Sequence, residues 1–242
     1  MPVARALVVF GLALSSWAAS VCADEAAIRK NLAIRLPSLA PIDEVTKTPV
    51  NGLWEVRMGA EIIYSDEQGS FIFEGNLIDL QKQLNVTQDR VAKLTAFDFA
   101  KLPLKDAVVW KQGTGARKLV VFADPNCGYC KHFEKELNGV KDITVYTFLI
   151  PILGGDSPEK SKAIWCAKDK GLAWRNWMLS GTEPPAVTGA CDASALDRNL
   201  ALGLKHAVNA TPMLVFTDSK RMPGIMSAAE LDKKLSTLNP AL

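Results

Sequence analysis

Apolar and polar positions follow a period of two in the first part of the chain. Over 54–58 apolar residues alternate with polar or small ones, as in a half-buried β-strand. Two further apolar runs, 62–64 and 71–73, flank a polar turn that ends in Gly69, so the pattern predicts a β-hairpin. Residues 24–83 are therefore predicted to form a small α+β unit.

From Trp110 onward the pattern alternates between strand and helix, which is typical of an α/β domain. Apolar runs predict buried strands over 118–123, 143–150 and 213–217. Helices are predicted from Cys127, over 158–179, over 193–206 and from the capping box that pairs Ser227 with Glu230. This second domain is predicted to cover residues 102–242.

Residues 84–101 join the two parts and are predicted to form a linker helix, with Thr87 as its N-cap and Pro103 after its end. The core of the unit over 24–83 is thin, and units of roughly 60 residues often need a partner to bury enough surface. That unit is therefore predicted to be an oligomerising module. A small lid that packs against the rest of the chain is the alternative.

The first residues carry the pattern of a secretory signal peptide. Arg5 supplies a positive charge, the apolar run over 6–14 is much shorter than the roughly 20 residues of a membrane span, and the motif VCA at 21–23 fits a cleavage site. Residues 1–23 are therefore predicted to be removed on export. An uncleaved membrane anchor and a lipidated Cys22 are the alternatives.

Composition narrows the choice of partners. The 28 Lys and Arg residues nearly balance the 26 Asp and Glu residues, which does not favour nucleic acid as a partner.

Export would remove one of the five cysteines and leave Cys127, Cys130, Cys166 and Cys191. An even number of cysteines in an oxidising compartment suggests two pairs.

Cys127 and Cys130 form a Cys-x-x-Cys motif, which occurs in metal sites, covalent haem sites and reversible disulfides. A c-type haem needs histidine directly after the second cysteine, where this chain has Lys131. A zinc site needs more closely spaced ligands than the sequence offers, and His132 and His206 are interpreted as surface or half-buried residues. The sequence therefore predicts no metal and no cofactor, and it favours a redox pair.

The helix predicted from Cys127 gives the two sulfurs different surroundings. Cys130 shares an apolar face with Phe133 and Leu137, so it should point inward, whereas Cys127 is expected to be exposed at the helix N-terminus. Free amides and the helix dipole favour a thiolate there. A fall in thiol pKa from about 8.5 to about 6 raises the thiolate fraction at neutral pH from about 3% to about 90%. One activated sulfur and one sheltered sulfur suit thiol–disulfide exchange.

A family resemblance supports this chemistry. The order of strand, CGYC, helix, strand and then Thr211-Pro212 before another strand resembles the thioredoxin fold. The signal peptide, the small first module, the linker helix, FADPNCGYCK and KAIWCAKDK at 162–170 together resemble the periplasmic disulfide isomerases of the DsbC/DsbG type. The resemblance implies an α+β protein with an N-terminal dimerisation domain, a linker helix and a C-terminal thioredoxin-like domain with inserted helices. It also implies that Gly128 and Tyr129 tune the redox pair, and that a cis bond before Pro212 supports it.

The function that the resemblance implies is disulfide isomerisation in the periplasm by a V-shaped homodimer. Cys127 would attack non-native disulfides in misfolded secreted proteins held in an apolar cleft, and client thiols or Cys130 would resolve the mixed disulfide. A membrane reductant of the DsbD type would keep the pair reduced. A thiol oxidase, a sulfenic-acid reductase and a holdase chaperone are the alternatives.

The two remaining cysteines, Cys166 and Cys191, lie in or beside predicted helices and have no nearby partner in sequence. They are predicted to form a structural disulfide, with a second redox centre as the alternative. The tryptophans near them follow helical spacing and are interpreted as core residues, namely Trp165, Trp174 and Trp177.

The proton acceptor for Cys130 is an open question at this stage. Val121 stands six residues before Cys127, where thioredoxin carries a buried acid. Asp124 and Glu134 are candidates by their proximity in sequence. Each is more simply interpreted as a solvated charge or as a turn or helix residue.

Overall fold

A computed structural model describes residues 17–238, with the backbone alone for 17–23. The predicted signal peptide over 1–23 lies outside the residues whose side chains are described. The chain divides into two compact units whose boundary lies between Val91 and Ala92. Among the described residues, no helix has both the length and the apolarity that crossing a membrane requires.

The first unit contains an antiparallel sheet and a long helix. Its elements are α1 (Trp17–Arg35), β1 (Glu44–Lys47), β2 (Leu53–Met58), β3 (Glu61–Asp66), β4 (Ile72–Phe73), β5 (Ile78–Asp79) and β6 (Leu84–Asn85). Strands β1 to β4 pair in chain order, and β5 pairs with β6. Ile28 and Leu32 of α1 pack with Trp54, Val56 and Ile63 of the sheet, which matches the predicted alternation.

The predicted hairpin is present, with Tyr64 of β3 opposite Phe73 of β4. The carboxylate of Asp66 closes its turn, because Oδ1 accepts from the backbone amides of Ser70 at 2.6 Å and Phe71 at 2.8 Å. Strand β4 lies at the edge of the sheet, and the apolar side chains around it face solvent. Phe71 is 68% exposed and Phe73 is 55% exposed. This edge therefore carries unpaired backbone groups beside an apolar surface.

The start of the next helix, α2 (Val86–Leu94), differs from the prediction. Asn85 caps it, because its Oδ1 accepts from the amide of Gln88 at 2.9 Å. Thr87, the predicted N-cap, is buried inside the helix, where its hydroxyl oxygen accepts from the amide of Leu77 at 2.8 Å. Thr87 thus ties the helix to the preceding loop.

The predicted continuation of this helix to residue 101 is wrong. Helix α2 ends at Leu94, and only a short 3₁₀ turn forms later, over Phe99–Lys101. Between them, Phe97 is buried with its ring 5.2 Å from that of Phe122 and 4.2 Å from that of His206. Burial of an aromatic ring outweighs the small helix propensity of this segment.

The second unit is built on a mixed sheet covered by helices. Its elements are β7 (Val108–Gln112), β8 (Arg117–Ala123), α3 (Gly128–Leu137), β9 (Ile143–Leu149), α4 (Ser157–Cys166), α5 (Lys170–Ser180), α6 (Ser194–Lys205), β10 (Met213–Val215), β11 (Arg221–Pro223) and α7 (Ala228–Ser236), with a 3₁₀ turn over Leu104–Asp106. The strand order is β11-β10-β8-β9-β7. Strands β8 and β9 are parallel, and the other neighbours are antiparallel. The alternation of strand and helix is as predicted.

Strand β8 supplies side chains to both layers of this core. Leu119 and Val121 belong to the cluster beneath α3, whereas Val120 and Phe122 belong to the cluster on the opposite face. Both faces of β8 are buried, which explains its nearly continuous apolar sequence. The strand therefore delivers the loop after Ala123 to the edge of a rigid core.

The predicted helix over 158–179 is interrupted. Helix α4 ends at Cys166 and α5 begins at Lys170, because the carboxylate of Asp169 accepts from the amide of Leu172 at 2.9 Å and caps a new helix. The break allows the two helices to run in different directions on the same core.

Candidate active site

Cys127 lies directly before α3, where it acts as the N-cap residue. Its backbone is extended, and its Sγ accepts from the amide of Cys130 at 3.2 Å. The backbone amide of Cys127 in turn donates to the carbonyl of Asp124 at 3.1 Å, so the loop after β8 is closed on itself. The sulfur therefore occupies the position where a helix binds negative charge.

The surroundings of Cys127 stabilise its thiolate. A hydrogen bond from the Cys130 side chain has the largest effect, and the Thr211 side chain and the amides of Cys130 and Tyr129 add to it. Together they outweigh burial and lower the pKa of the Cys127 thiol to about 6. At neutral pH this sulfur is therefore mostly ionised.

The expectation that Cys127 is exposed is wrong, since only 5% of its surface is accessible. Its Sγ lies 3.3 Å from the carbonyl oxygen of Thr211, so the loop before β10 covers it. The open side of the site is formed by Gly128, where an added Cβ would meet nothing within 4 Å, and by Tyr129, which is 70% exposed. These two residues therefore form the exposed side of the site next to the buried Cys127.

Cys130 lies inward and is 2% exposed. It belongs to the cluster that contains Phe133 and Leu137, the residues with which it shares a face of α3. Burial raises the pKa of the Cys130 thiol, and the neighbouring Cys127 raises it further. Both cysteines are free thiols in this structure. The pKa of Cys127 is lowered and that of Cys130 is raised, although the two residues are three positions apart.

Sheet register brings the loop before β10 to the cysteines. Strand β10 is the antiparallel neighbour of β8, with Met213 opposite Phe122. The residues just before Met213 therefore lie beside the loop that follows β8. The bond between Thr211 and Pro212 in this loop is cis.

The other two cysteines, Cys166 and Cys191, are joined by a disulfide with Cα atoms 5.9 Å apart. Both are partly buried against the core beneath α3. The indole of Trp165 donates to the carbonyl of Asp192 at 2.9 Å and holds the same segments together. Trp165, Trp174 and Trp177 all belong to this core, as their spacing predicts.

The interpretation of Asp124 as a solvated charge is wrong, because its side chain is completely buried. Its Oδ1 accepts from the amide of Asn126 and from the hydroxyl of Ser157, both at 2.8 Å, and its Oδ2 accepts from the amide of Leu153 at 3.0 Å. Donors from the same loop, from the loop before α4 and from the first turn of α4 thus converge on one carboxylate. Asp124 fixes the loop that positions Cys127.

Glu134 is not a solvated charge either, since it is 2% exposed. Its Oε1 accepts from the indole Nε1 of Trp174 at 2.6 Å. Burial raises the pKa of the Glu134 carboxyl to about 7, although the Trp174 hydrogen bond, the charge of Arg175 and the indole of Trp110 each lower it. The sequence held a signal for this position, because Glu134 follows Cys130 by four residues and so shares its side of the helix.

Comparisons with known proteins agree with this geometry over both units. A model of the disulfide bond isomerase N-terminal domain matches residues 19–88, and a model of a thioredoxin-like domain matches residues 104–239. The probable thiol:disulfide interchange protein DsbC of Bordetella pertussis is 43% identical over 194 residues, which cover 80% of this chain and 68% of that protein. The chain belongs to the DsbC family. The predicted resemblance is confirmed.

Two further comparisons extend the match. The thiol:disulfide interchange protein DsbC of Escherichia coli K12 is 29% identical over 232 residues, which cover 92% of each chain. The crystal structure of a disulfide interchange protein from Neisseria gonorrhoeae superposes with a TM-score of 0.53 and 34% identity, over 56% of this chain and 97% of that one. This DsbC-family protein is a thiol–disulfide oxidoreductase with the predicted α+β fold.

Proposed function

We propose that the protein is a periplasmic disulfide isomerase in which Cys127 attacks non-native disulfides and Cys130 is the resolving thiol. The contrast between the two sulfurs supports this most directly. The pKa of Cys127 is lowered to about 6 at the N-terminus of α3, whereas burial raises the pKa of Cys130. Only the first sulfur is a nucleophile at neutral pH.

The proposed reaction has two steps. The Cys127 thiolate attacks one sulfur of a client disulfide, so that a mixed disulfide forms and the other client sulfur leaves as a thiolate. A different client thiol can then attack the mixed disulfide, which releases Cys127 and leaves the client with a rearranged disulfide. If Cys130 attacks instead, the client is reduced and Cys127 becomes bonded to Cys130. A membrane thiol donor of the DsbD type would then restore the dithiol.

Gly128, Tyr129, Thr211 and Pro212 are proposed to support this site. The first two form the exposed side of the site next to Cys127, and a client chain would pass over them. The Thr211 carbonyl, 3.3 Å from Sγ, places the loop before β10 beside the sulfur, where an extended client chain could meet it. These residues would thus orient a client's disulfide toward the attacking sulfur.

The first unit is proposed to make the protein a homodimer. Strand β4 ends the sheet, and its surroundings expose apolar side chains that a second copy of the chain could cover. They are Phe71, Ile72, Phe73, Ile78 and Leu80. A dimer would set two catalytic units on one client, which is proposed to be a misfolded, disulfide-containing periplasmic protein.

Reactivation of scrambled ribonuclease tests the proposal against its alternatives. The wild-type protein should restore ribonuclease activity in a weakly reducing buffer, and the Cys127→Ser variant should not. A holdase would work equally well without the sulfur, and a thiol oxidase would act on reduced ribonuclease but not on the scrambled form. Equal rescue by both proteins would contradict the proposed chemistry.

The Cys166–Cys191 disulfide is proposed to be structural. It closes a loop with a sequence separation of 25 residues, for which the chain-entropy model gives about 3.5 kcal/mol of stability. Replacing both cysteines with Ala should lower the unfolding free energy by about this amount in urea titration. The alkylation rate of Cys127 should stay within about twofold of wild type. A folded double variant without exchange activity would instead indicate a second redox centre.

A further inference from the structure

Cys130 needs a proton acceptor that Val121 does not supply. Val121 is buried in the same cluster as Cys130, and its side chain is apolar. Thr147, which lies opposite Val121 in the parallel pair of β8 and β9, is also fully buried. A thiol in this core must nevertheless lose its proton when its sulfur forms a bond, because the thiolate is the nucleophile.

Glu134 has the position that this step requires. It follows Cys130 by one turn of α3, a spacing at which the Cβ atoms are about 5–6 Å apart. Helical side chains also lean toward the helix N-terminus, which favours an approach of the longer Glu134 side chain to the turn that carries Cys130. Both residues are almost completely buried on the same side of the helix.

The carboxylate of Glu134 has a free oxygen within the protein core. Oε1 is held by the Trp174 indole at 2.6 Å, whereas Oε2 has no hydrogen-bond partner among the described residues. A buried polar atom without a partner is costly, and such atoms often have a catalytic or redox role. The Trp174 hydrogen bond fixes the carboxylate. The indole Nε1 of Trp110 lies close enough to lower the pKa of Glu134, but it is also buried without a hydrogen-bond partner among the described residues, so Oε2 is not held by a formed hydrogen bond.

Other buried groups do not fit this role. Asp124 already accepts three hydrogen bonds on its two oxygens. Thr147 Oγ1 and Ser161 Oγ are also buried without partners among the described residues, but a hydroxyl does not retain an added proton near neutral pH. The groups that face Glu134 from neighbouring elements are the cation of Arg175 and the indole of Trp174 on α5, and the neutral indole of Trp110 on β7.

We infer that Glu134 accepts the proton of the Cys130 thiol when Cys130 resolves a mixed disulfide. The inference rests on the proposed roles of Cys127 and Cys130. In this step the Cys130 S–H proton passes to Oε2 of Glu134, directly or through one water molecule. The new bond joins the sulfurs of Cys130 and Cys127, the bond between Cys127 and the client breaks, and the client sulfur leaves with the electron pair. The cysteine pair is oxidised and the client disulfide is reduced.

The acidity of Glu134 suits the transfer in both directions. With its pKa raised to about 7 by burial, the carboxyl is partly ionised at neutral pH and can both accept and return a proton. The rate of resolution should therefore rise with pH as Glu134 ionises. Removal of the Trp174 indole, which stabilises the carboxylate, should raise this pKa and move the rise to higher pH.

Stopped-flow kinetics can separate the reactions of the two sulfurs. The reduced full-length protein is mixed with an aromatic disulfide that releases coloured nitrothiobenzoate. The first release reports attack by Cys127, and the second, independent of reagent concentration, reports attack by Cys130. We expect Glu134→Gln to slow the second phase relative to the first by at least about ten-fold at neutral pH, and to abolish its rise with pH. Trp174→Phe should keep that rise but shift its midpoint upward. Glu159→Gln, which removes an exposed carboxylate on α4, should match wild type.

Three results would overturn the inference. The first is that Glu134→Gln leaves the rate of the second phase unchanged, and the second is that it slows both phases equally. The third is that the second phase of the wild-type protein shows no rise in rate with pH around a midpoint of about 7, the pKa of Glu134. The pH profile of the second phase in the wild-type protein, and the shift of its midpoint in Trp174→Phe, test the role of Glu134 even if Glu134→Gln does not fold. Absence of a first phase in the wild-type protein would overturn the proposed function itself.

Discussion

Replacing Cys127 with Ser is expected to reduce thiol–disulfide exchange to the rate without protein, whereas replacing Cys130 with Ser should trap mixed disulfides with clients. The reason is the division of roles at the start of α3. Cys127, with its pKa lowered to about 6, is proposed to make the first bond, and Cys130, whose pKa is raised by burial, is proposed to act on a bond already made. Insulin reduction measures the first effect, and non-reducing gels of client mixtures measure the second.

Alkylation provides an independent check on these roles. The rate at which iodoacetamide labels the reduced protein should rise with pH through a midpoint near 6, because the pKa of Cys127 is lowered to about that value. Mass spectrometry of peptides should find the label on Cys127. Faster labelling of Cys130 at neutral pH would reverse the assignment of the two sulfurs.

Deleting residues 24–83 is expected to give a monomer that still reduces insulin but rescues scrambled ribonuclease poorly. Exchange chemistry needs only α3, the cysteines and the sheet beneath them, all of which lie in the second unit. Isomerisation also needs a client that stays bound through repeated attacks, and a dimer would supply the larger binding surface. The deletion retains Phe97 and Phe99, which are buried in the second unit and would be lost by truncation at Leu102.

A full-length variant separates dimerisation from loss of the unit itself. Changing Phe71 and Phe73 to Asp places charges on the exposed edge of β4 without touching the core formed by α1 and β2. It should sediment as a monomer and show the same defect as the deletion. A dimeric deletion protein, or a monomer with full isomerase activity, would contradict the proposed role of the first unit.

Periodicity predicted the strands β2, β3, β8, β9 and β10 because they are buried on one or two faces. It did not predict β1, β5, β6, β7 and β11. The alternation around Trp54 and the continuous apolar sequence of β8 both follow from this burial. The same reasoning failed at the start of the second unit. The segment after Leu94 has helical spacing, but Phe97 lies against Phe122, which is distant in sequence. Contacts of this kind leave no periodic signal in the segment itself.

At the site, local spacing predicted which side of α3 carries Cys130, but not how the loops fold over it. The burial of Cys127 comes from Thr211, which β10 brings alongside β8. The burial of Asp124 comes from donors on the loop before α4 and on its first turn. Each depends on a strand pairing or loop closure far along the chain, so the residue's own neighbours in sequence cannot reveal it.

The depth of the Cys127 sulfur has a consequence for the choice of targets. With 5% of the residue's surface accessible, we expect Cys127 to be reached most readily by a disulfide on a flexible, extended stretch of chain. A disulfide inside a well-packed native domain must first be released by local unfolding, and its rate of attack falls with the free energy of that opening. Misfolded proteins open at little cost. We therefore expect the proposed isomerase to act faster on misfolded proteins than on correctly paired ones, through the kinetics of opening and not through recognition.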